Sequence, residues 1–78
     1  MEENRDRERL TWEQLKELLF KYCNQNARVP SNMTIYEHQM IGRWLRYQRS
    51  KINNVNDELY QRLSVNRYVK EYLDKYVQ

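Results

Sequence analysis

One glycine and one proline in 78 residues constrain this chain more than any other feature of its sequence. Ordinary usage would supply about five glycines and four prolines in such a length. Tight β-turns draw on both residue types, so their scarcity disfavours a turn-rich all-β domain and favours helices joined by polar loops. The expected fold is therefore all-α.

A chain this short makes one small domain, which buries only about 60% of the surface its unfolded form exposes. Disulfides or a structural metal commonly reinforce such domains. A single cysteine, Cys23, rules out an internal disulfide, and with one histidine, His38, it cannot supply the four ligands of a structural zinc site. No metal or other cofactor is expected. Packing must hold the domain, and two Trp and seven Tyr are there to provide it. No apolar run approaches the roughly 18 to 20 residues of a membrane span. The charged start, MEENRDRER, lacks the apolar region of a secretory signal. An intracellular, reducing location without a membrane is expected.

Residues 1–10 read as a charged tail, disordered or frayed, and residues 11–78 as a single helical domain. Thr11-Trp12-Glu13-Gln14 fits a capping box. Trp12, Leu15, Leu19, Tyr22 and Cys23 then follow at helical spacing on one face, opposite Glu13, Glu17, Lys21 and Asn24, which predicts an amphipathic helix ending near Asn24 to Asn26. Pro30 interrupts it. Thr34-Ile35-Tyr36-Glu37 is a second capping-box pattern, predicting a helix from there to about Lys51. Gly42 inside that helix costs about 1 kcal/mol relative to Ala, which suggests close backbone approach to the first helix. Asn56 is placed to cap a brief helix from Asp57 to about Leu63. Asn66 is placed to cap a last one with Val69, Tyr72, Leu73 and Tyr76 on its apolar-aromatic stripe. Three to four helices with short connections make a small bundle.

Charge is unevenly spread. Residues 10–27 balance two Lys against two Glu, and residues 52–78 balance four basic against four acidic side chains. Between them lie Arg28, Arg43, Arg46, Arg49 and Lys51 against Glu37 alone. In the predicted second helix Ile41, Trp44, Leu45, Gln48 and Ile52 form one stripe. Tyr36, Gln39, Arg43, Arg46, Tyr47 and Ser50 form the other, with Arg49 and Lys51 at its borders. Such a face can neutralise phosphates, and arginine adds bidentate hydrogen bonding and stacking. An ordinary solvated helix face has the same pattern. Trp44 belongs with the core stripe.

Catalysis is not expected. His38 has no nucleophile at a recognisable spacing, Cys23 falls on the apolar face, and Asp57-Glu58 sit where a helix N-terminus favours acids. Nor is there a glycine-rich phosphate loop.

A Trp opening the first helix (Trp12), a Tyr near its end (Tyr22), Val29-Pro30-Ser31, then Ile41-Gly42-Arg43-Trp44 with Gln48-Arg49, together form a pattern that is similar to the helicase-associated domain. That family is a short helical module, often in tandem, found beside helicases in bacteria and in large DNA viruses. The resemblance covers roughly residues 11 to 64, and its most specific part is Gly-x-Trp-(x)3-Gln-Arg. The Tyr-rich last helix looks more like the viral versions. Ile41 stands where the family usually has Leu, and the final aromatic motif of bacterial members is not evident.

The resemblance implies a Myb-like or helix-turn-helix-like bundle that binds nucleic acid, DNA ahead of RNA. It also implies a helicase domain as neighbour or partner, since no motor motif is present here, and a setting in a host cell or virion. By that resemblance Gly42, Trp44 and Gln48 are mostly structural and Arg43, Arg46 and Arg49 contact phosphates.

Residues and resemblance together give the expected contacts as Arg28, Arg43, Arg46, Tyr47, Arg49 and Lys51. The expected core is Trp12, Leu15, Leu19, Tyr22, Ile41, Gly42, Trp44 and Leu45. The alternative function is protein interaction or weak self-association through the tyrosines of the last helix.

Overall fold

The computed structural model describes residues 10–77, and they form an all-α bundle. Its four helices are α1 (Trp12–Asn26), α2 (Ile41–Lys51), α3 (Glu58–Leu63) and α4 (Arg67–Asp74). The charged tail expected at the N-terminus lies, through residue 9, outside the described residues.

The capping box at Thr11 is complete: its hydroxyl accepts from Gln14 N at 3.1 Å while Gln14 Oε1 accepts from Thr11 N at 2.9 Å. At the other end α1 closes on Ala27, whose φ of 57° is left-handed and whose N–H reaches Cys23 O at 2.7 Å. That conformation is normally left to glycine. Asn66 caps α4 with one amide oxygen that accepts from both Tyr68 N and Val69 N, and its Nδ2 donates to Asn24 Oδ1 on α1 at 3.1 Å. One buried side chain thus starts α4 and moors it to α1.

The core runs through all four helices. Leu19 and Cys23 of α1, Leu45 of α2, Tyr60 and Leu63 of α3, and Val69, Tyr72 and Leu73 of α4 meet, with Ile52 and Val77 beside them. Each such aliphatic side chain contributes about 1.5–3 kcal/mol when fully buried. Of the expected core, Leu19, Ile41, Gly42 and Leu45 are buried, whereas Trp12, Leu15, Tyr22 and Trp44 are only partly so. The two tryptophans roof the core edge, with ring centroids 5.7 Å apart. Trp12 Nε1 donates to Gln48 Oε1 at 2.9 Å, which satisfies a glutamine only 2% exposed.

Three boundaries differ from expectation. The second helix starts at Ile41, not near Ile35, and Met40 offers no side-chain cap. Thr34 turns backward instead: its hydroxyl accepts from Ser31 N at 3.0 Å, and its own N–H reaches Ser31 O. Tyr36 and Gln39 then exchange backbone hydrogen bonds of 2.8 and 3.0 Å across Glu37 and His38, both at positive φ. Tertiary contacts favour this turn over the helix. Tyr36 packs edge-on against Tyr22 of α1 and donates to Gln25 Oε1 at 3.0 Å, and Glu37 pairs with Lys21 at 3.5 Å. Tyr36 and Gln39 therefore do not share a helical face with the arginines. The third helix is capped by Asp57, not Asn56, through a bond from Leu59 N at 3.1 Å. Tyr76 lies past the end of α4 and is 56% exposed, so it does not extend the apolar stripe.

Gly42 does mark a close approach, but to the connector and not to α1. A Cβ there would sit 1.6 Å from Ser31 O. The connector, residues 27–40, is thus held against α2 around Ser31, with Pro30 fully buried beside it.

Candidate nucleic-acid interface

α2 is amphipathic, and its burial follows the predicted stripes. Ile41, Leu45, Gln48 and, just past the helix, Ile52 face inward; Arg43, Tyr47, Ser50 and Lys51 are exposed; Arg46 and Arg49 lie between. Two basic residues, Arg49 and Lys51, fall in its last turn, where the helix dipole favours cations.

The six expected contacts divide into two groups. Arg28, Arg43, Tyr47 and Lys51 are open to solvent. Tyr47 is 60% exposed, with the Lys51 ammonium 5.0 Å from its ring centre. Arg46 and Arg49 are committed to the fold. Arg46 Nη1 donates to the carbonyls of Pro30, at 3.1 Å, and Gly42, at 3.0 Å, so it ties the connector to α2. Its guanidinium also lies 5.3 Å from the Tyr72 ring centre. Arg49 Nη1 donates to the Tyr72 hydroxyl at 3.0 Å, and its guanidinium sits 4.3 Å from the centre of the Tyr76 ring.

Sequence reasoning missed that last pairing. Tyr72 and Tyr76, their rings 5.2 Å apart, border the basic face instead of forming a surface of their own. The only hint was that Arg49 stands at the edge of the polar arc while tyrosines recur four apart near the C-terminus. Tyr72 is 7% exposed, so the tyrosine face reduces in practice to Tyr76.

Charge pairing is uneven among the described residues. Among the described residues the ion pairs are Lys16–Glu13 at 3.1 Å, Lys21–Glu37 at 3.5 Å, Lys70–Asp74 at 2.9 Å and Arg62–Glu13. None involves Arg28, Arg43, Arg46, Arg49 or Lys51. Exposed pairs add only about 0–1 kcal/mol to stability. Their significance here is that they pair Lys16, Lys21, Arg62 and Lys70 and leave the cations of the connector and α2, with Arg67 and Lys75, without a carboxylate partner among the described residues. Glu13 shows the effect locally: a hydrogen bond from Lys16, then the charges of Lys16 and Arg62, hold its carboxyl below the usual value.

Elsewhere the titratable groups serve the fold. Burial pushes the Cys23 thiol up to about 12, so it is neutral at physiological pH. The Tyr60 hydroxyl donates to Asp74 Oδ1 at 2.5 Å, which raises the phenol and lowers the carboxyl. Compared with known proteins, the chain matches no family model, no curated protein and no solved structure.

Proposed function

We propose that this chain is a nucleic-acid-binding module, for DNA ahead of RNA, that works as an accessory domain of a helicase-like protein. The observation that carries the reading is the set of five cations on the connector and α2 that have no carboxylate partner among the described residues, whereas of the six described cations elsewhere Lys16, Lys21, Arg62 and Lys70 are paired and only Arg67 and Lys75 are not. The family pattern in Gly42, Trp44 and Gln48-Arg49 points the same way.

Arg28, Arg43 and Lys51 take phosphates directly: they are exposed, and none has a hydrogen-bond or carboxylate partner among the described residues. Arg46 and Arg49 play a double part. Each spends one nitrogen on the fold and keeps its charge, and a guanidinium has further donors to offer a phosphate. Binding is then mainly electrostatic and weakly selective for sequence.

Arg46 and Arg49 also decide how to test this. Reversing their charge would damage the connector and the α4 contact, so lost binding would be ambiguous. Arg28→Glu with Arg43→Glu reverses two exposed charges that make no hydrogen bond or ion pair among the described residues. An NMR titration with oligonucleotides at two salt concentrations should show the α2 signals moving. For three phosphate contacts log K should fall with log salt at a slope of about −2 to −3. The double variant should bind at least tenfold more weakly with unchanged thermal stability. Binding equal to the parent chain would defeat the proposal.

A further inference from the structure

Resting on the nucleic-acid reading above, we propose that the ligand is an unpaired DNA strand, its bases stacking on Tyr47 and Tyr76 at the two borders of the basic arc. Around α2 the arc runs from Arg49 through Arg46, Ser50 and Arg43 to Tyr47 and Lys51. At one border Lys51 sits 5.0 Å from the centre of the exposed Tyr47 ring. At the other Arg49 sits 4.3 Å from the centre of the exposed Tyr76 ring. Each border thus combines an exposed ring with a cation over one of its faces, and a base would take the other. A nucleotide makes the complementary pair: a flat base and, next to it, a phosphate.

On a duplex the bases are already stacked, and offering a base face to Tyr47, 60% exposed on the outer side of α2, would require unstacking. There the side chain could serve only through its hydroxyl, as a hydrogen bond to a phosphate, a role that Tyr47→Phe removes. An unpaired strand offers its bases freely, and every base has a face to stack, so recognition is tolerant of sequence.

The test titrates the full chain at low salt with three probes of equal length, roughly a dozen nucleotides: oligo-dT, the same strand made abasic, and a hairpin duplex. Oligo-dT should bind most tightly. Tyr47→Ala should weaken oligo-dT binding roughly five- to a hundredfold while leaving the abasic and duplex affinities unchanged. Tyr47→Phe should restore it, because the ring and not the hydroxyl does the stacking. Duplex or abasic probe binding as tightly as oligo-dT, or an unchanged affinity of Tyr47→Ala, would overturn the assignment. Failure of all three probes to bind would instead defeat the nucleic-acid reading itself.

Discussion

Replacing Gly42 by alanine sets two opposed effects against each other. Helix propensity alone favours alanine by about 1 kcal/mol. Against it stands the Ser31 carbonyl, 1.6 Å from where the new methyl carbon would be, when real contacts of this kind begin near 3.0 Å. The carbonyl is backbone, so relief means moving the connector by more than an ångström. Forcing extra volume into a packed site costs about 1–3 kcal/mol. Ser31 follows Pro30, whose carbonyl accepts from Arg46 at 3.1 Å, and a hydrogen bond from a charged donor contributes about 1.5–3 kcal/mol. The net expectation is a loss of about 2–4 kcal/mol, a large part of a small domain's total. At about 4–8 °C per kcal/mol for this size, the midpoint should drop by about 8–30 °C. Urea and thermal unfolding followed by circular dichroism measure it. A Gly42→Ala protein as stable as the parent, or stabilised by the propensity gain, would refute the close approach.

The reverse exchange should help at the end of α1: Ala27→Gly relieves a left-handed alanine and should stabilise by roughly 1 kcal/mol in the same melts. Gln48→Leu strands the Trp12 indole N–H and should cost about 1–3 kcal/mol with a shift in tryptophan emission, so an unchanged protein would remove the bond from the account. Asp74 is depressed, chiefly by the hydrogen bond from Tyr60 and then that from Lys70, so it contributes stability above the usual carboxylate value. That contribution should fade as pH falls through its lowered folded value, and acid melts of Asp74→Asn should lack this component. Cys23 should resist thiol reagents in the native state and react at a rate set by unfolding, because burial holds it protonated up to about 12. Rapid labelling under native conditions would contradict that placement.

Much of the fold was legible because local rules and tertiary contacts agree. At Thr11 and Asn66 a cap residue precedes a periodic apolar run, and both helices form as expected. The spacing of Ile41, Leu45, Gln48 and Ile52 likewise placed the buried side of α2. The rule failed at Thr34, where an equally good capping pattern lost to contacts that no local window contains: Tyr36 on Tyr22 and Gln25, and Glu37 on Lys21. The basic face was legible as composition. Which arginines the fold would claim was not, because Arg46 is claimed by a carbonyl sixteen residues away and Arg49 by a tyrosine twenty-three away. Separations of that kind leave no periodic trace.

The tryptophan pair at the edge of the core has a use as an optical reporter. Trp12 belongs to α1 and Trp44 to α2, and their rings are inclined at 57° with centroids 5.7 Å apart. Two identical chromophores held that close in a skewed, chiral arrangement couple their transitions and give a paired positive and negative band in circular dichroism. The band depends on the docking of the two helices and not on their helicity. Its loss while the helical signal persists would mark a state in which α1 and α2 have separated without melting, which makes the order of events in unfolding visible without any label.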